Sequence, residues 1–355
     1  MVTVWTRSAM AQSNPPSPPT TFHWSNPLPF EYREGQTAPR RELRDPCIVR
    51  EADTYYLVFT MWPFRNREEA HLAEPNQGGS PGIALYSSKD LKDWHFENWL
   101  VRSADLPEDC PYKNRFWAPE IHKLGARFYL IFTADNWIQK AFNPAGTWGT
   151  AGYAFVGVAD HITGPYQHIT YIPGAACDTS LFEAADGTTY AVIPRGDIDV
   201  QPIDLSHLHE GKVSLLGRPT TVVTADNRDI GLEARPDYLE GPWVERLGNR
   251  YLLFHAATYK DKAFPDFLGY HTSVAVADNP LGPWTKDPRA IVFRGGHLAV
   301  FRGPDDRPWF SFRIEHDDHS RGRLAVEPFD VANDGTVRVE PQPTLGPRSI
   351  PQPTP

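Results

Sequence analysis

A fivefold internal repeat constrains this chain more than any other feature of its sequence. Each copy holds a leading residue, a short apolar strand, a tight turn and a second strand carrying an aromatic residue. The copies are RDPCIVREADTYYLVF, WAPEIHKLGARFYLIF, DTSLFEAADGTTYAVI, LEGPWVERLGNRYLLF and HLAVFRGPDDRPWFSF, led by Asp45, Ala118, Asp178, Glu240 and His297. From each leader to its aromatic residue (Tyr56, Tyr129, Tyr190, Tyr251, Trp309) the separations are 11, 11, 12, 11 and 12 residues. Successive leaders lie 73, 60, 62 and 57 positions apart. A hairpin recurring at about that period predicts a propeller with one four-stranded blade per repeat. No useful stretch of helical periodicity interrupts the pattern, so the expected fold is all-β, a five-bladed β-propeller.

The repeats divide the chain. Residues 1–21 are a Pro- and Ser-rich lead-in, 22–340 the propeller and 341–355 a second Pro-rich tail. Phe22 to Glu42 carries aromatics expected to pack on the first blade and to close the ring. The turns between first and second strands are short (Glu51-Ala52-Asp53, Leu124-Gly125-Ala126, Asp186-Gly187, Leu247-Gly248-Asn249, Asp305-Asp306) and belong to one face. The longer loops 61–81, 135–150 and 259–271 belong to the other, where binding is expected. The segments 91–94, 163–166 and 281–284 rhyme as outer blade edges.

Propeller topology brings the leading residues together around the axis. Asp45, Asp178 and Glu240 then share one funnel, where mutual repulsion separates their pKa values. One carboxyl held protonated beside another held ionised is what glycoside hydrolysis requires. A single Asp-Pro is more often a turn or cap; three acids at equivalent repeat positions point to catalysis.

These stretches resemble glycoside hydrolase family 43. Arg44-Asp45-Pro46, Trp117-Ala118-Pro119-Glu120, Asp178-Thr179-Ser180-Leu181-Phe182 and Glu240-Gly241-Pro242 are similar to that family's four signatures, in its order and spacing. The resemblance implies a five-bladed propeller acting on α-L-arabinofuranosides or β-D-xylosides with inversion. It implies Asp45 as general base, Asp178 as the residue that raises and orients the acid, and Glu240 as general acid. His297 matches the family's axial histidine, which holds a water or a metal ion. No cofactor is required, although calcium in the central channel is a feature of some members. Thr179 stands where the family more often has proline. Exo action is favoured by the length of the blade-one loop. A retaining furanosidase of the sucrose- and fructan-cleaving propellers is the competing enzyme, but its leading Asn-Asp-Pro-Asn and Glu-Cys motifs are absent. A carbohydrate-binding propeller without catalysis is the third reading, opposed by retention of all three acids.

Further candidates follow from position. Arg195 and Arg313 end second strands and are expected at the substrate face, to hold Asp178 ionised or bind sugar hydroxyls. Trp62, Trp117 and Trp137 lie at strand ends or loops, where a sugar could stack, with packing between blades the alternative. The run 315–319 (EHDDH) reads as a solvated loop, and Glu120 and Glu245 as structural. A net charge of −9 argues against a nucleic-acid partner, and 11 tryptophans, 14 tyrosines and 19 phenylalanines supply flat side chains suited to a carbohydrate partner. No apolar run of ~20 residues is present to span a membrane. Cys47, Cys110 and Cys177 form no disulfide framework or metal motif and read as small buried side chains. Residues 1–12 end like a signal peptide without its apolar core, so secretion or a periplasmic location is an expectation only. Oligomeric state is not legible.

Overall fold

A computed structural model describes residues 21–32, 42–62, 79–138, 142–144, 152–232, 236, 238–259, 269–314, 323–340, 342–343 and 345–351. The innermost strands of the five blades are Glu42–Glu51, Arg115–Leu124, Ser180–Glu183, Leu239–Leu247 and Gly296–Arg302. Each pairs antiparallel with the strand that follows: Thr54–Trp62, Arg127–Asp135, Thr189–Arg195, Arg250–Tyr259 and Pro308–Ile314. Third strands continue each sheet outward at Gly82–Ser88, Tyr153–Ala159, Asp197–Asp204, Gly269–Ala277 and Arg323–Pro328. The innermost strands touch in the order one, two, three, four, five and back to one, so the ring is closed.

The hairpins of blades one, two and four are as tight as the sequence predicts, whereas in blades three and five the last strand pairs, Glu183 with Thr189 and Arg302 with Pro308, leave five residues. Glu51 pairs with Thr54, Leu124 with Arg127 and Leu247 with Arg250, leaving two-residue turns. Ala52, Gly125 and Gly248 take positive φ there, the geometry such turns favour. The rhyming segments are turns that feed the outer edge, not the edge itself. The outer strands start just after them, at His95, Gln167 and Thr285.

Closure is made by the chain's two ends. Thr21–Asn26 pairs with Gly346–Pro351, so part of the segment read as a tail is a strand. The Asn26 amide bonds both N–H and C=O of Val326 in blade five, at 3.0 Å each. Trp24 packs on Trp309 of blade five at 4.7 Å between rings, and Phe30 on Phe59 and Tyr86 of blade one. This segment therefore bridges blades five and one rather than resting on blade one alone. Among the described residues no helix is long and apolar enough to cross a membrane. Cys47 and Cys110 are buried, Cys177 is half-buried, and all three are free thiols.

Candidate active site

At the axis the backbone takes a conformation that side chains ordinarily avoid. Asp45, Ala118, Asp178 and His297 have φ of 51°, 43°, 59° and 51°, and in blade four the left-handed residue is Gly241, at 52°. This geometry costs an L-residue about 1–2 kcal/mol, and such strain concentrates at functional sites. In four blades the left-handed residue opens a bulge. Arg44 pairs with Thr60 and Cys47 with Val58, leaving Asp45 and Pro46 unpaired, and blades two, four and five repeat this at 118–119, 241–242 and 297–298. Pro46, Pro119 and Pro242 take the second bulge position, where the missing N–H is not needed. A bulge re-aims the side chain before it.

The superposition made from sequence needs one correction. In blade one Ile48 faces Leu57, and in blade four Val244 faces Leu253. Gly241, not Glu240, is thus the equivalent of Asp45, and Tyr251 corresponds to Tyr55 rather than Tyr56. Two adjacent tyrosines in blade one allow either register, which is why the aromatic anchor misplaced blade four by one residue. Glu240 stands one position earlier, beside its equivalents Arg44, Trp117 and Gly296.

Glu240 nonetheless reaches the axis. Asp178, Glu240 and His297 each bring a carboxylate oxygen or ring nitrogen to within 4.8 Å of the others. Asp45 joins through the imidazole, its Oδ1 3.2 Å from Nδ1 of His297. His297 is 5% exposed, and its Nε2 has no hydrogen-bond partner among the described residues. Burial, then the charge of Asp178, pushes Glu240 up to about 7. Asp178 is raised as well, by burial first, with His297 opposing. For His297 burial alone would lower the pKa, but Asp45, Asp178 and Glu240 outweigh it and bring it to about 9. At neutral pH the group is therefore an imidazolium among acids, one of which retains a proton over much of its working range.

Supports come from neighbouring blades. The amide of Ala118 donates to Thr60 Oγ1 at 2.6 Å, and that of Asp178 to Thr133 Oγ1 at 2.9 Å. Each hydroxyl belongs to the second strand of the preceding blade, so the strained leaders are tied across blade boundaries. Cys177 Sγ lies 3.2 Å from Asp178 Oδ1. Below the acids, Glu120 is bonded by His122 Nε2 at 2.7 Å and Ser180 Oγ at 2.6 Å, and His122 stacks on Trp243. Glu245 accepts from Trp243 Nε1 at 3.3 Å, and burial raises it to about 7.

Tyr270 was not legible in the sequence. Its hydroxyl donates to Glu240 Oε1 at 2.6 Å, and its ring lies under the Arg313 guanidinium, 5.3 Å from ring centre to Cζ. Arg313 also approaches Glu42, at 3.4 Å, so it belongs to the Glu240 side of the site. Arg195 instead pairs with Asp199 at 3.0 Å and donates to the Gly174 carbonyl, both in or beside blade three. Trp62 is covered on one face by Arg44, at 4.5 Å. Trp117 and Trp137 both stack on Arg115, at 4.9 and 4.7 Å. That guanidinium is buried and grips Asp135 through two bonds, one of them Nε to Oδ1 at 2.9 Å. All three tryptophans remain partly exposed. The run 315–319 and most of the three long loops lie outside the described residues.

Comparison with known proteins bears on the family and the fold. The family model described as Glycosyl hydrolases family 43 matches residues 39–337. A beta-xylosidase of Bacillus subtilis (strain 168) is 22% identical over 282 residues, covering 75% of this chain and 46% of its own length. The extracellular exo-alpha-(1->5)-L-arabinofuranosidase ArbA of Cellvibrio japonicus is 25% identical over 126 residues, 30% of this chain and 29% of that one. The chain thus spans less than half the length of these curated relatives. Among solved structures, xylan beta-1,4-xylosidase from Bacillus halodurans C-125 superimposes with a TM-score of 0.64 at 19% identity, over 90% of this chain and 57% of that chain. The shared fold is the five-bladed propeller.

Proposed function

The chain belongs to glycosyl hydrolase family 43, and on that premise we propose that it is an inverting, exo-acting glycoside hydrolase. Its substrates are α-L-arabinofuranosides or β-D-xylosides of plant polysaccharide fragments, classes named among its relatives. The observation that carries the reading is the pairing of Glu240, raised to about 7, with Asp178 and His297 at the axis. A carboxyl that keeps its proton near neutrality can serve as an acid.

In the reaction Asp45 takes a proton from water as the water oxygen bonds to the anomeric carbon. The bond to the leaving oxygen breaks, and that oxygen receives the proton of Glu240. Asp178 keeps Glu240 protonated by its charge, and His297 holds Asp45 through Nδ1. Arg313 and the exposed faces of Trp62, Trp117 and Trp137 are the candidates for contacting sugar. For Arg195, tied to Asp199, the pull of that partner favours a supporting role in blade three.

Asp178, Glu240 and His297 could meet a cation at the axis, Nε2 of His297 having no hydrogen-bond partner among the described residues, but only once the imidazolium and Glu240 had given up their protons. Calcium takes 6–8 oxygen ligands, so the two carboxylates would leave most of its shell to water. When bound it would add positive charge to the axis; no proton transfer described above depends on it.

A panel of chromogenic arabinofuranosides and xylosides tests the reading. We expect turnover of at least one, lowered about 10²–10⁴-fold by Asp45→Asn and by Glu240→Gln with unchanged circular dichroism. Absence of turnover across the panel, or near-normal rates in either variant, removes it.

A further inference from the structure

We propose that Tyr270 is a positioning residue for the acid: its hydroxyl occupies Oε1 of Glu240 and thereby assigns the transferable proton to Oε2. The inference rests on the glycosidase reading above and names a residue that the repeat pattern does not contain.

Three observations carry it. The hydroxyl donates to Oε1 at 2.6 Å, at the short end for an O–H···O bond. The phenol is 4% exposed, so the bond is shielded from competing water. The ring cannot easily move away, because it is enclosed on two sides. On one, a methyl group built on Gly296 would lie 2.9 Å from a ring carbon, so the blade-five backbone packs against it. On the other, the Arg313 guanidinium covers the ring and is itself drawn to Glu42. A phenol is protonated at neutral pH in any case, so the hydroxyl is a donor here.

The chemical consequence concerns which carboxyl oxygen is free. A protonated carboxyl has one O–H and one carbonyl oxygen. A fixed donor facing Oε1 favours the carbonyl form there and the O–H on Oε2. Without that donor the proton distributes over both oxygens and the carboxyl is free to rotate. Proton delivery is then slowed in proportion to how much the leaving group needs it. Tyr270 touches neither water nor sugar in this scheme and acts only through Glu240.

Tyr270→Phe removes the hydroxyl and keeps the ring. On alkyl or sugar leaving groups kcat should fall about tenfold or more, the scale of a lost hydrogen bond to a charged group. On a dinitrophenyl glycoside, which departs with little protonation, the fall should be several-fold smaller. In a Glu240→Gln background the same substitution should slow hydrolysis no further, because the proton it positions is gone. Equal losses on good and poor leaving groups, or the same further loss in the Glu240→Gln background, would overturn the proposal. A wild-type enzyme inactive on every glycoside would instead defeat the glycosidase reading, a distinguishable failure.

Discussion

The imidazole of His297 fills the space that a side chain at position 241 would need. A methyl group built on Gly241 would lie 2.7 Å from Cγ and 2.9 Å from Nδ1 of His297. Position 241 is also left-handed, which favours glycine, but Asp45, Ala118, Asp178 and His297 hold the same conformation, so it is the imidazole that excludes a side chain. Blade four has therefore given up its side chain where blades one and three carry Asp45 and Asp178. Its acid stands one residue earlier, on a side chain longer by one methylene. The histidine that excludes the side chain is the one that contacts Asp45.

Gly241→Ala should accordingly displace His297 and damage activity more than stability. Overpacking of this kind costs about 1–3 kcal/mol, with roughly 1–2 kcal/mol more for the left-handed backbone. We expect a measurable fall in Tm and a loss of kcat exceeding tenfold. Wild-type kcat together with wild-type Tm would mean that the ring can shift freely and does not orient Asp45.

Asp178→Asn should move the basic limb of the kcat/KM–pH profile to lower pH. Glu240 must be protonated to act, so activity falls as pH rises through its pKa of about 7. After burial, the charge of Asp178 is the largest influence raising that value. Removing the charge lets Glu240 ionise earlier, so the loss sets in at lower pH while KM changes little. An unmoved basic limb would assign Asp178 another role.

Arg115 should matter for folding. Its guanidinium and the Asp135 carboxylate form a buried pair between the Trp117 and Trp137 rings. Removing one partner strands the other charge, which costs about 3–5 kcal/mol in comparable buried pairs. Arg115→Met should lose stability on that scale in denaturant unfolding, and Asp135→Leu in the same background should restore part of it. A loss below about 1 kcal/mol would place the pair among weakly coupled surface ion pairs.

The sequence carries the blade count and the three acids because each hairpin reports its own register through apolar alternation and a short turn, of two residues in blades one, two and four. It misassigns Glu240 by one position because Tyr55 and Tyr56 are adjacent, so an aromatic anchor cannot choose between them. The left-handed leaders are invisible in composition: aspartate and histidine tolerate that region, but Ala118 gives no hint of it. Tyr270 has no counterpart in the repeat, and it meets Glu240 from the third strand, across the second strand that pairs with both. The pairing of Thr21–Asn26 with Gly346–Pro351 is equally silent: TFHWSN alternates as a strand would, but GPRSIP, with prolines at 347 and 351, gives no sign of being its partner. Arg195 ends its strand as expected, but Asp199, diagonal to it on the neighbouring strand, claims its charge, a pairing fixed by cross-strand register.

The central claim is that Asp45 and Glu240 act from separate blades on the two sides of one sugar. Carboxyls about 6.5–9.5 Å apart admit a water between base and anomeric carbon, whereas retaining pairs sit near 5–5.5 Å. Asp178 and Glu240 approach within 4.8 Å of each other, yet using them as a retaining couple would leave the strained Asp45 without a task. Proton NMR of the first-formed sugar, recorded before mutarotation, decides between the two. The account predicts a product of inverted anomeric configuration, and a product that keeps the substrate's configuration would contradict it.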